Sequence, residues 1–138
     1  MRAFVWGWLF FCFLLLSGCM APPLAEFSAS IPDDQKMTST QVRDAILIAM
    51  SEEGWSAIEV NLGVFEATKS VGLQSAVVYI AYGYKGFSIE YADSTNMQYN
   101  AENDTISVAY KTWVYALYSS IQYQLHQQKV NHHEVSQF

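Results

Sequence analysis

Between Ala57 and Ala92 the chain is written in four short runs separated by connections of hairpin length, and this stretch limits the fold more than any other. The runs are Ala57 to Asn61, Val64 to Lys69, Ser75 to Gly83 and Phe87 to Ala92. Val, Ile, Tyr and Phe dominate them, and turns containing Gly63 and Tyr84-Lys85-Gly86 join neighbours. Connections this short can reverse the chain but cannot carry a crossover, so the economical reading is an antiparallel meander. On either side the period changes to that of a helix. Thr38-Ser39-Thr40-Gln41 offers a capping box, and Val42, Ala45, Ile46, Ala49, Met50 and Glu53 follow on one stripe. Gly54 then closes the helix as a left-handed cap with Trp55 folded back. Asp93 to Asn103 reads as a polar loop. Asp104 is expected to cap a second helix with the line Ile106, Tyr110, Trp113, Leu117, Ile121 and Leu125. The expected fold is therefore α+β: helix, four-stranded antiparallel meander, helix, with both helices on one sheet face.

The third strand adds a complication. Both of its alternating sets, Val77-Tyr79-Ala81 and Ala76-Val78-Ile80-Tyr82, are apolar. A sheet covered on one face needs only one such set. Either tether or tail covers the second face, or that face meets a partner.

The leader must be separated from the fold. Met1-Arg2 precedes an apolar run from Ala3 to Leu16, and then comes Leu16-Ser17-Gly18-Cys19. A short positive start, an apolar run of this length and small residues at a cleavage point describe a secretory signal. A leucine three residues before a cysteine, with Ser and Gly between, resembles the lipobox of bacterial lipoproteins. That resemblance implies cleavage before Cys19, a diacylglyceryl group on its thiol and acylation of the new amine. Two or three chains hold a protein firmly where one binds marginally, at about 0.8 kcal/mol per buried methylene. An uncleaved membrane helix is the competing reading, but the unbroken apolar core falls short of the ~20 residues a span needs. Met20 after the cysteine carries no charge. In enterobacterial lipoproteins an Asp there retains the protein at the inner membrane, so the resemblance implies the periplasmic face of the outer membrane in a Gram-negative host. The expected organisation is signal peptide 1–18, lipidated tether 19–37, one domain 38–126 and a disordered tail 127–138.

Cleavage would leave no thiol except the lipidated one, because Cys12 departs with the signal. Disulfides, cysteine-ligated zinc and a cysteine nucleophile are then excluded, and folding rests on the apolar core. Loss of Arg2 takes the formal net charge from −6 to −7. An acidic surface without a basic cluster argues against nucleic acid and against docking on anionic headgroups. Contact with the membrane is expected through the lipid.

Within the domain, Gly54-Trp55, Ala67, Val78-x-Ile80-x-Tyr82, Ser88-Ile89-x-Tyr91-x-Asp93-Ser94-x-Asn96, Tyr99, Ile106 and Tyr110-x-x-Trp113-Val114 resemble a family of small, largely uncharacterised proteobacterial lipoproteins. The resemblance covers about Thr38 to Leu125 and implies no activity. A histidine often follows the isoleucine of the last helix in that family, and Ser107 stands there here.

Residues able to carry chemistry are sparse. His126, His132 and His133 beside Glu134 sit at or past the end of the last helix, without rigid neighbours to orient a metal. Glu59 and Glu66 fall on adjacent strands, and Glu90 and Asp93 flank Tyr91, but alternation puts Glu90 on a solvated face. No Gly-x-Ser-x-Gly, glycine-rich phosphate loop or histidine within the domain suggests a nucleophile or nucleotide site. No catalytic residue, metal or cofactor is expected. Asp93-Ser94-Thr95-Asn96 suits side-chain turns, with a contact beside Tyr99 as its functional alternative. The expected function is a non-enzymatic binding or assembly module with an envelope protein partner, using Val77, Tyr79, Asp93, Asn96 and Tyr99 as contact surface and Cys19 for lipid. A small-ligand or envelope-stress sensor, with a cavity between helices and sheet, is the alternative.

Overall fold

A computed structural model describes residues 26–135. The segment Leu16-Ser17-Gly18-Cys19, read as resembling a lipobox, lies outside the described residues. The elements are β1 (Phe27–Ser30), a single 3-10 turn (Asp33–Gln35), α1 (Ser39–Glu52), β2 (Ser56–Asn61), β3 (Val64–Val71), β4 (Gln74–Gly83), β5 (Gly86–Thr95) and α2 (Val108–Val135). Every pairing is antiparallel, and the sheet order is β1-β5-β4-β3-β2. The meander is present as read, and so are α1 and its ends. Thr38 Oγ1 accepts from the Gln41 amide at 3.2 Å while Gln41 Oε1 accepts from the Thr38 amide at 2.8 Å. Gly54 takes φ 75°, and the Trp55 amide reaches back to the Met50 carbonyl at 2.8 Å.

Both helices lie on one face of the sheet, where α1 contributes Val42, Ala45, Ile46, Ala49 and Met50 to the interior. Tyr110, Val114, Leu117 and Ile121 of α2 meet them over Ala67, Ala76, Val78, Ile80 and Ile89. A polar clasp supplements the apolar contact between the helices. The Gln124 amide donates to both Glu52 carboxylate oxygens at 3.2 and 3.1 Å, and Ser120 Oγ donates to the same group at 3.3 Å. Lys69 closes the C-terminal end of α1, donating to the Glu53 carbonyl at 2.7 Å where the helix dipole favours a cation.

The structure departs from the sequence reading in five places. The sheet has five strands rather than four, because the segment assigned to the tether contains β1. Phe27-Ser28-Ala29-Ser30 alternates, but four residues are too few to display a period. Its place is fixed from outside: Phe27 pairs with Ile89 and Ala29 with Phe87, and the Phe27 ring meets those of Tyr115 and Tyr118 at 6.3 and 5.6 Å. Tyr115 and Tyr118 of α2 therefore roof this edge strand.

The second departure is that β5 continues through Asp93 and Ser94 to Thr95, so the polar loop begins later. Third, Asp104 does not cap α2. It occupies a left-handed turn at φ 51° between Asn100 and Thr105, whose amides and carbonyls pair reciprocally at 2.9 and 3.1 Å. Fourth, the buried Ile106 and the Ser107 amide, bonded to the Met97 carbonyl at 2.8 Å, delay the helix to Val108. Fifth, the stretch from Gln127 onward, assigned to a disordered tail, continues α2 to Val135. Gln128, Lys129 and His132 of that last part face Lys36, Met37 and Gln41 across a shallow cleft. No helix among the described residues is long and apolar enough to cross a membrane.

Candidate functional site

The face of the sheet opposite the helices is built by register. Ile58 stands opposite Glu66, Glu66 opposite Tyr79, and Tyr79 opposite Glu90, so one row crosses β2, β3, β4 and β5. The next row runs Ser56, Thr68, Val77 and Asp93, and a third runs Val64, Ala81, Ser88 and Ser28. Directly opposed residues share a face, about 5 Å apart, so each row is a line of neighbouring side chains. Tyr79 is 41 % exposed and Ile58 62 %, whereas the alternate set Ala76, Val78 and Ile80 is wholly buried. The doubly apolar third strand thus resolves into one core set and one open set.

A bulge decides the membership of Asp93. Val78 pairs with Tyr91 but Val77 pairs with Asp93, which leaves Ala92 as the extra residue. Tyr91 faces the helices. Unbroken alternation would turn Asp93 the same way, and the bulge sends it to the open face beside Val77. Ser94 turns inward instead, where its hydroxyl and that of Tyr91 stand 2.9 Å apart. Asp93 Oδ1 accepts from the Ser94 amide at 2.8 Å, which holds the bulged backbone.

Of the residues singled out as contact surface, the structure brings together Val77, Tyr79 and Asp93. Asn96 and Tyr99 stand apart from them. Asn96 adopts φ 55° and its amide donates to the Leu73 carbonyl at 2.8 Å, so it ties the polar loop to the β3–β4 turn. Tyr99 stacks on Tyr91 on the helix side, with ring centroids 4.3 Å apart, and Tyr110 meets Tyr91 edge-on at 5.6 Å. Burial, foremost, raises the Tyr91 and Tyr110 hydroxyls above the ordinary tyrosine range. These rings anchor the loop to the core. What sequence reasoning missed is that Ile58, Glu66 and Glu90 stand in one row with Tyr79, since alternation gives a face but not which strands lie opposite at which residue.

Of the two carboxylate pairs considered, Glu90 and Asp93 both reach the open face, whereas Glu59 and Glu66 are separated by the register. Glu59 stands opposite Phe65 on the helix side and Glu66 opposite Ile58 on the open side, so the two never converge. Glu59 is instead clasped. Tyr82 donates to it at 2.8 Å and Arg43 at 3.2 Å, while Phe65 stacks on Tyr82 at 5.3 Å with the Arg43 guanidinium over its ring. The Tyr82 hydroxyl first and Arg43 next hold the Glu59 carboxyl below its usual range, and Glu59 in turn raises Arg43. Each group has its counterpart, so the arrangement ties α1 to an edge strand and leaves no poised base.

Among the described residues no group of three or more His, Cys, Asp or Glu could hold a metal ion. His126 is exposed on α2 and His132 lies in the cleft near Lys36, far along the helix from the open sheet face. No protein-family model, no curated protein and no solved structure matches the chain.

Proposed function

We propose that the chain is a lipid-anchored envelope lipoprotein of outer-membrane address, and that its open sheet face is a non-enzymatic contact surface for an envelope protein. The observation that carries this reading is the five-stranded sheet with its helices on one side only. The second apolar set of β4 has no cover among the described residues, and a row of exposed side chains flanks it. Antiparallel sheets commonly turn one solvated face to water, but such a face is ordinarily polar at its centre. Here its centre is Val77 and Tyr79.

The anchor supports the same reading. With β1 starting at Phe27, the roughly eight peptide steps from Cys19 span at most about 28 Å. A lipid on Cys19 would hold the domain near the bilayer rather than at the end of a long tether.

The test is cross-linking in intact cells, comparing wild type, Cys19→Ala and the double variant Val77→Thr with Tyr79→Thr. Threonine keeps the strand preference while removing the apolar surface. The expected result is one recurrent adduct, lost in both variants although the threonine variant melts as wild type does. An adduct that survives the threonine variant would overturn the assignment of the face, and one indifferent to Cys19→Ala would overturn the anchor.

A further inference from the structure

The open side of the sheet carries acidic residues and no basic one. Arg2 aside, the basic residues are Lys36, Arg43, Lys69, Lys85, Lys111 and Lys129. Arg43, Lys111 and Lys129 belong to the helices, and Lys36 lies in the cleft beside the end of α2. Lys69 stands opposite the buried Ala76 and donates to the end of α1, and Lys85 occupies the β4–β5 turn. None stands at an outward position of a strand. The outward positions carry Glu66, Glu90 and Asp93. Two of these are the direct neighbours of Tyr79, one on each side, and the third stands beside Val77.

We infer that the partner of this face is a cationic protein segment, which lays a lysine or arginine over the Tyr79 ring between Glu66 and Glu90. This rests on the reading of the open face as a contact surface and names the chemistry it would take. Two carboxylate positions a strand's width either side of an aromatic ring, about 10 Å apart in all, leave room for one cationic head between them. The ring face attracts the cation and the carboxylates pair with it. Val77 and Ile58 offer apolar area on which the aliphatic stem of such a side chain can lie.

The other occupants fit poorly. A second copy of the chain would set like charges against each other across a two-fold axis. An anionic lipid surface would be repelled. Met20 to Ala25 and Ser136 to Phe138 contain no lysine or arginine to place there.

The first arm of the test measures binding of a fluorescein-labelled octa-arginine peptide to the full lipidated chain in non-ionic detergent, by anisotropy at low salt. The triple variant Glu66→Gln, Glu90→Gln, Asp93→Asn is compared with Asp44→Asn, Glu102→Gln, Asp104→Asn, which removes equal charge from exposed positions off the face. We expect the first to weaken binding at least tenfold and the second less than twofold. Tyr79→Lys, which supplies the cation within the chain, should abolish binding and leave the melt intact. Equal weakening by both triple variants, or no binding to wild type, overturns the inference.

The second arm places a photo-reactive phenylalanine analogue at Thr68, beside Val77 on the open face, in living cells. A protein adduct lost in the Glu66, Glu90, Asp93 triple variant supports a cationic partner. An adduct unchanged by that variant overturns the cationic partner while leaving the contact surface standing. Absence of any adduct overturns the contact surface itself.

Discussion

Gly86→Ala is the substitution whose outcome the structure constrains most tightly. Gly86 opens β5 at φ 146°, a conformation that L side chains rarely adopt. It stands opposite Ser30 of β1. A methyl built there falls on the Ala29 carbonyl oxygen and lies 3.1 Å from the Ser30 Cα, both backbone atoms that cannot swing aside. Keeping β1 in place therefore combines a strained dihedral, about 1–3 kcal/mol, with overpacking of about 1–3 kcal/mol. Letting β1 go forfeits its backbone hydrogen bonds, about 1 kcal/mol each, and part of the burial of Phe27, roughly 1–2 kcal/mol. Release also returns roughly 1 kcal/mol of conformational freedom per residue. Release is the cheaper route, so the loss should be about 1–3 kcal/mol, or roughly 5–15 °C in Tm. Urea unfolding read by Trp55 and Trp113 fluorescence measures it, and hydrogen exchange at 27–31 shows which route is taken. If β1 is released, those amides lose protection and the slope with denaturant falls, since less surface remains to expose. Gly54→Ala is the control. It also has positive φ, 75°, but open space at the methyl position, so about 1 kcal/mol is expected. A Gly86→Ala protein as stable as wild type, with residues 27–31 still protected, would refute the placement of β1.

Further outcomes follow from other parts of the structure. Glu59→Gln should lower Tm at neutral pH, and the difference from wild type should shrink as the pH is lowered beneath 4.5. The sign follows because a folded carboxyl held below its ordinary pKa stabilises above that value and loses the effect as acid protonates it; a difference that grows in acid would exclude the clasp. Asn96→Ala should cost about 1–2 kcal/mol by urea unfolding and raise hydrogen exchange around Leu73, because it loses both the bond to Leu73 and a residue tolerant of positive φ. Ile80→Ala, at the middle of the central strand and wholly buried, should cost about 2–5 kcal/mol in the same assay.

Local patterns settled a good part of this protein. The capping box at Thr38, the 3.6-residue stripe of α1 and the glycine after it are interactions within a few residues, so the sequence alone locates them. Four strands joined by connections of hairpin length likewise leave little choice but a meander. The apolar character of both sets of β4 was legible as a conflict, because alternation is a local property. Its resolution was not. Whether Tyr79 is core or surface depends on which face receives the helices, and that is decided by which set packs against Ile46, Ala49 and Leu117.

Tertiary structure alone decided the rest, each time through contacts distant in the chain. β1 exists because Ile89 and Phe87 offer a ladder and Tyr118 a roof over Phe27, none of which a run of four residues announces. Asp104 looked like a cap, but the pairing of Asn100 with Thr105 claimed it for a turn. The last part of α2 lacks a strong apolar period, yet the helix continues where the cleft beside Lys36 and Met37 receives it. One bulge at Ala92 put Asp93 on the open face, and register set Glu66 and Glu90 on either side of Tyr79. A sequence states which residues alternate; only pairing between strands states which of them are neighbours, because register is a relation between segments and belongs to neither.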